Sequence, residues 1–393
     1  MINKERKLAK AVDTPNRCRA FTEAVYSGVS DDPEKMKKEV FALEKRDYPT
    51  DSPYHVYFGE MHGHTCMSDG RPTVDEYFQN IRDSAKLDFA AISDHDHGGI
   101  GKAELWHGNW EIIKEKVREY NEPGKFTTIL AYERDSYPWY DNLIVYYNNY
   151  DGALIRGEVD GEITAKELAT LLSREDIIAI PHDTYYLNAG ADFNTMPPEL
   201  FTPMIEICSR GDCAEYFGNP YNVEDSQVEG GFWQDALKRG AKMGCIGGSD
   251  DHACKNGITL EPEYEGDLRI YPGITGVLAE ENTLESIFAA LKARRCFGFT
   301  GGRMEIDFRI NGHYMGEEFV CDGERKVFYR IKADAPVKRV TVVKNCRDYI
   351  LLRRTEQLFF DHKVESDCDV YYLRVELEGG RCGWTSPIWV RNE

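Results

Sequence analysis

The sequence contains no C-x-x-C pair, no long apolar run and no surplus of basic residues. Each absence removes a class of protein. Eleven cysteines in 393 residues are too sparse, and odd in number, for a disulfide scaffold. Cys208 and Cys213, the closest pair, are too isolated for a zinc knuckle. Reduced thiols of a cytoplasmic protein are the expectation. No stretch approaches the roughly 18 apolar residues of a membrane span, and the charged start Met1–Lys7 has no apolar segment behind it. Neither a leader nor a membrane anchor is expected. Lys and Arg number 48 against 68 Asp and Glu, a formal charge of −20. Such a surface repels polyanions and argues against a nucleic-acid duplex or an anionic membrane as partner. A small anionic substrate stays compatible if bound metal supplies local positive charge.

What is present is core-forming material: 41% hydrophobic and 12% aromatic residues. At about 100–200 residues per domain, the length predicts two or three domains. Residues 1–50 are polar, with a helical stretch near Asp32–Glu44 and no recognisable chemistry, and read as an N-terminal helical extension. From 51 to 302 short apolar runs alternate with amphipathic segments. Strands are predicted at Val56–Met61, Phe89–Ile92, Phe126–Ala131, Leu143–Tyr147, Ile177–Ile180, Met204–Cys208, Cys245–Gly247 and Ile274–Leu278. A helix is predicted over Thr73–Lys86, opened by the capping box Thr73/Glu76; Thr164/Glu167 repeats that signature. The alternation predicts an α/β domain of the distorted (β/α) barrel type. After Gly301-Gly302 the texture changes. Met304–Ile310, Lys326–Lys332, Lys338–Lys344, Gln357–Asp361, Val370–Leu377 and Ser386–Arg391 read as strands of a small all-β sandwich over 303–393.

The chemistry lies at the strand ends. His62-Gly63-His64 and Asp69 follow the first strand, Ser93-Asp94-His95-Asp96-His97 the second, Glu133 the third, and Pro181-His182-Asp183 the fifth. Gly248-Ser249-Asp250-Asp251-His252 follows the seventh. Extended backbone turns His62 and His64 to the same side. In a barrel the carboxyl ends of the strands share one face, which would bring these five segments into one pocket. A lone histidine after a strand is usually a surface or core residue, and His55, His107, His313 and His362 are read so. Six of the ten histidines nevertheless fall at strand ends. Imidazoles mixed with carboxylates and without thiolates suit Zn, Mn or Fe as divalent ions. The donors are too many for one ion, so two are expected.

These motifs, in this order, resemble those of the polymerase and histidinol phosphatase (PHP) superfamily across roughly residues 55–255. Arg294–Gly301 and Trp384–Val390 resemble the branch that includes carbaryl-hydrolase-like metallohydrolases, in which a β-domain follows the catalytic one. The resemblance implies that His62, His64, Glu133 and Asp250 hold one ion. It implies that Asp69, His95 and a shared Glu133 hold a second, with His182 and His252 completing the cluster. Family members often carry a further histidine after the glutamate for a third ion. Here Tyr137–Asn142 contains none, so a third ion is expected only if Asp141 substitutes.

A hydroxide bridging two metal ions would attack a small phosphoester in line. His182 or His252 would protonate the leaving oxygen, making them, with Asp250, the catalytic group. Asp94, Asp96 and Asp251 are expected to orient ligating imidazoles. Arg134 and Arg210 are candidate grips on a substrate anion, and His97 a candidate pocket wall. The same nucleophile would cleave a carboxyl ester or carbamate, and a non-catalytic metal-binding scaffold is the third reading. Gly98–Lys102 lacks the spacing of a phosphate loop. Cys66, inside the first metal motif, is read as a packing residue.

Overall fold

β-Branched and aromatic runs separated by capped helices build the first of two compact units, which holds Pro53–Arg303; the second holds Met304–Glu393. The computed structural model describes residues 51–96, 107–137, 140–154, 164–186, 190–209, 212–221, 227–253, 263–265 and 268–392. The N-terminal extension, His97, the Gly98–Lys102 stretch and Arg210 fall outside the described residues, as does the side chain of Asp141.

In the first unit the strands are β1 (His55–Glu60), β2 (Phe89–Ile92), β3 (Thr127–Tyr137), β4 (Tyr140–Tyr147), β5 (Ile177–His182), β6 (Met204–Cys208) and β7 (Gly244–Gly247). They are followed by the short β8 (Glu263–Glu265) and β9 (Leu268–Ile270), then β10 (Gly273–Ala279) and β11 (Cys296–Thr300). Interleaved helices are α1 (Val74–Gln79), α2 (His107–Tyr120), α3 (Ala165–Leu172), α4 (Trp233–Lys238) and α5 (Leu284–Lys292). The main sheet runs β11-β10-β1-β2-β3-β4-β5, with β6 and β7 as a separate parallel pair.

This is a mixed sheet. Only β1, β2 and β3 are mutually parallel; β10 pairs antiparallel with β1, and β4 antiparallel with both β3 and β5. Among the described residues the ladders form an open path rather than a closed parallel barrel. One cause is local: Tyr137 pairs with Tyr140, and so short a link permits only a hairpin, because a parallel crossover needs a dozen or more residues. Two antiparallel steps restore the direction of β5 to that of β3, so the carboxyl ends of β1, β2, β3 and β5 still face the same way.

The sheet is held by an apolar cluster that includes Phe89, Ile129, Ile144, Ile180, Ile246, Val277 and Phe288. Two buried tyrosines fix strand ends near the chemistry: Tyr146 donates to the Met61 carbonyl at 2.8 Å, and Tyr77 to that of Ala91 at 2.6 Å. Both expected capping boxes form, at Thr73/Glu76 and Thr164/Glu167. The helix after Thr73 is shorter than its sequence suggests: α1 passes into a π-helical turn at Asn80–Ser84, and Lys86 takes a left-handed conformation.

In the second unit β12 (Met304–Ile310), β13 (His313–Tyr314), β14 (Glu318–Val320), β15 (Arg325–Ala333), β16 (Val337–Lys344), β17 (Arg347–Leu352) and β18 (Glu356–Asp361) come first. β19 (Cys368–Leu377), β20 (Cys382–Thr385) and β21 (Ile388–Arg391) complete it. One sheet runs β13-β12-β15-β18; in the other, β19 pairs with β16, β20 and β21. Buried charges link the two sheets. Lys344 donates to Asp361 at 2.9 Å, and Arg325 pairs with Asp369 at 2.9 Å.

Candidate metal centre

Six strands deliver the site, and the backbone ties them before any side chain acts. Asp250 N–H donates to the His62 carbonyl at 2.9 Å, and His64 N–H to that of Asp251 at 3.0 Å. Ser93 N–H donates to Gly63 at 3.0 Å, and Glu133 N–H to Asp94 at 3.1 Å. The buried Glu60 carboxylate accepts from the N–H groups of His62 (2.9 Å) and Ser249 (3.0 Å), although burial pushes this carboxyl up to about 8. Asp183 and Asp250, at the ends of β5 and β7, both have positive φ (50° and 51°), a strained conformation for a non-glycine residue.

All eight residues expected at the metal site meet. Around Glu133 Oε2 lie His62 Nε2 at 3.1 Å, His64 Nε2 at 3.3 Å and His95 Nδ1 at 3.6 Å. Asp250 Oδ1 stands 3.4 Å from His62 Nε2 and 3.1 Å from His64 Nε2, and the two Nε2 atoms are 3.2 Å apart. Asp69 Oδ1 lies 3.2 Å from His252 Nε2 and 3.7 Å from His95 Nε2. The His64 ring stacks against those of both His252 and His95, at centroid distances of 4.0 and 4.5 Å. Exposure grades across the group: His62 and His64 side chains are at 0%, Glu133 at 1%, Asp69 at 17%, Asp250 at 26% and His252 at 32%. Solvent therefore reaches the cluster from the Asp250–His252 side.

These donors fit divalent cations. Bonds of about 2.0–2.2 Å to a four- or six-coordinate ion set neighbouring donor atoms roughly 3.0–3.5 Å apart. The spacings among His62, His64, Glu133 and Asp250 fall within that range. Glu133 Oε1 and His64 Nδ1, both buried, have no hydrogen-bond partner among the described residues. The electrostatics agree. Burial opposes ionisation of Glu133 and Asp250, yet the surrounding imidazoles hold Glu133 well below, and Asp250 below, the usual carboxylate range. Burial likewise opposes charge on His62 and His182, but neighbouring carboxylates hold both well above the ordinary imidazole value. Such a cluster demands positive charge, from protons or from metal.

Other expectations meet different surroundings. Asp94 accepts from Thr65 N–H (2.7 Å), Thr65 Oγ1 (2.6 Å) and Ser68 Oγ (2.5 Å), so it braces the loop after β1 rather than an imidazole. Asp251 accepts from Ala253 N–H at 2.6 Å. Arg134 is completely buried, and its place next to Glu133 in β3 turns it to the opposite face of the sheet. Cys66 is exposed. The nine described cysteines are all free thiols.

One member of the site was absent from the sequence reading. Glu206, in the middle of the fully buried β6, accepts from His62 Nδ1 at 3.0 Å and from His182 Nδ1 at 3.1 Å. The signal was available: an acid inside an otherwise apolar buried strand must have a partner.

Comparison with known proteins gives distant likenesses. A family described as a protein of unknown function (DUF3604) matches residues 267–325. An uncharacterized protein of Chlamydia pneumoniae is 24% identical over 381 residues, which are 90% of this chain and 60% of that protein. One from Chlamydia trachomatis is 24% identical over 397 residues, with the same coverage. The chain thus spans about 60% of the length of the curated relatives it matches. Among solved structures, a two-domain protein of Bacteroides vulgatus, described as containing a predicted PHP-like metal-dependent phosphoesterase, covers 84% of this chain and 93% of its own. It is 12% identical, with a TM-score of 0.43. The fibronectin(III)-like modules of Clostridium thermocellum CbhA cover 22% of the chain at a TM-score of 0.20. None of these concerns the carbaryl-hydrolase-like branch. Among the described residues no helix is long and apolar enough to cross a membrane.

Proposed function

We propose that this protein is a metal-dependent hydrolase that cleaves a small phosphoester, with residues 51–302 as catalytic domain and 303–393 as a separate β-domain. The observation that carries the reading is the gathering of His62, His64 and His95 nitrogens at 3.1, 3.3 and 3.6 Å from Glu133 Oε2, beside a second group, His64, Asp69, His95 and His252, whose donor atoms all lie within 4.8 Å of one another. His62, His64, Glu133 and Asp250 would hold one cation, and Asp69, His95 and the shared Glu133 a second. Two divalent ions of the Zn, Mn or Fe type would supply Lewis acidity, acidifying water and neutralising charge on a substrate oxygen.

The chain's own residues do the rest. Glu60, Ser249 and the inter-strand backbone bonds hold the donor-bearing segments in place, so little reorganisation is needed as charge develops. His252 is the most exposed of these histidines; its Nε2 lies 3.2 Å from Asp69 Oδ1, which raises its affinity for a proton against the depressing effect of burial. It is placed to deliver that proton to a leaving oxygen arriving from solvent. His182, with Nε2 3.0 Å from Asp183, completes the wall on the other side. The resemblance of the sequence motifs supports the phosphoester as substrate class.

Protein purified without chelator should carry at least two equivalents of transition metal. It should hydrolyse nitrophenyl phosphate or bis-nitrophenyl phosphate in preference to nitrophenyl acetate and naphthyl methylcarbamate. His64→Ala and Asp250→Ala should each abolish turnover. Metal below one equivalent that added ions cannot restore, or full activity in both variants, would overturn the proposal; turnover of the acetate or carbamate alone would move the substrate class.

A further inference from the structure

We infer that Glu206 is a positioning residue, one carboxylate that fixes two histidines at once, directing the Nε2 atoms of His62 and His182 toward the metal side. The inference rests on the metal-centre reading and adds to it an atom-level division of labour.

Glu206 is buried, and each of its oxygens meets a different ring: Oε2 lies 3.0 Å from His62 Nδ1, and Oε1 lies 3.1 Å from His182 Nδ1. An ionised carboxylate only accepts, so both Nδ1 atoms must carry the proton. A neutral imidazole protonated at Nδ1 has its lone pair at Nε2. His62 Nε2 is the atom that faces Glu133, Asp250 and His64, at 3.1, 3.4 and 3.2 Å. His182 Nε2 points to Asp183 at 3.0 Å and toward Asp250 Oδ2 at 3.9 Å. The two rings meet edge to face, with centroids 4.5 Å apart, which lets a single carboxylate span both.

The same geometry decides against Glu206 as a ligand. His62, His182 and Glu206 do lie close enough to surround an ion. That ion would have to take His62 through Nδ1, and His62 already offers Nε2 to the Glu133 group. One neutral imidazole has one lone pair to give, so the two uses exclude each other. The backbone has also been shaped for the bridge. A Cβ on Gly248 would stand 2.3 Å from Glu206 Oε2 and 2.5 Å from His62 Cβ, so only glycine admits the carboxylate here.

Carboxylates that orient ligating histidines are typically worth about 10–100-fold in metal affinity. In zinc-loaded wild type, proton–nitrogen correlation spectra should show slowly exchanging Nδ1–H protons on both His62 and His182. Glu206→Gln keeps the shape and one accepting oxygen, so at most one of those protons should persist. Zinc affinity, read by chelator competition, should fall by about 10–100-fold with the stoichiometry unchanged. Gly248→Ala should reproduce both effects with Glu206 intact. Loss of one whole equivalent of zinc in Glu206→Gln would make Glu206 a ligand and overturn the inference, as would wild-type spectra and affinity. If the wild type itself takes up no divalent metal, the metal centre falls and this role with it. If the wild type binds and Glu206→Gln matches it, only the Glu206 assignment falls.

Discussion

At the scale of single residues, the site is a balance between imidazoles and carboxylates removed from water. Carboxylates around them hold His62, His64, His182 and His252 above the ordinary imidazole pKa even though burial acts the other way. In metal-free protein the protonated rings therefore stabilise the fold. That contribution is complete below the unfolded value of about 6.5 and disappears as pH rises through the elevated folded values. Cations must displace those protons, so metal affinity should climb with pH over the same window. Calorimetric titration with zinc in buffers of different ionisation enthalpy should show net proton release; uptake, or no pH dependence, would contradict the assignment. Seven of the eight residues expected to bind metal were legible because each sits at or shortly after a strand's end, close to a second donor; Glu133 lies inside β3 and was read from a strand expected to end two residues before it. Glu206 was not legible in that way, because it lies inside a strand and its partners are distant in sequence. Asp94 was legible as important, but its work on Thr65 and Ser68 depends on a loop path that spacing does not reveal.

Among elements, α1 shows how a local signal survives into the structure. Thr73 Oγ1 accepts from the Glu76 N–H at 3.2 Å, and the Glu76 carboxylate accepts from the Thr73 N–H at 2.8 Å. Thr73→Ala should cost about 1 kcal/mol in chemical denaturation, with activity retained; a change within error would mean that tertiary packing alone holds this helix. Strand positions were read well where burial is continuous, as in β6, which has the expected bounds. β3 runs on to Tyr137, six residues past the last expected strand residue, because Glu133 and its neighbours pair with β4 even where the sequence turns polar. β17 was missed. Its hairpin turns through Asn345 and Cys346, both at positive φ, where an Asn-Gly pair would have announced it. The direction of β4 and β10 was likewise hidden, since alternation of strand and helix is the same text for parallel and antiparallel neighbours.

For the molecule as a whole, each unit carries its own dominant charge cluster. In the second it is structural. Asp361 accepts from Lys344 (2.9 Å), Tyr371 (2.7 Å) and Tyr349 (2.8 Å). Burial would raise its carboxyl, but the Lys344 ammonium and these donors hold it below the usual carboxylate range. Its contribution to stability is thus full above the unfolded value of about 3.9 and is lost as pH falls through the lower folded value. Asp361→Ala strands a buried lysine and should cost about 3–5 kcal/mol, measured by urea unfolding of the full chain. A loss under 1 kcal/mol would mean that Asp369, 3.6 Å from the same ammonium, suffices. The first unit has a different long-range commitment. β1, which leads into His62 and His64, pairs with β10, so that His55 faces Ala279. Closing so long a loop is slow and comes late in folding. The donor-bearing segments that follow β1 therefore wait for β10 before their lead-in strand is fully paired. If the centre holds metal as proposed, its capture at the full site would report that synthesis and folding have passed that point.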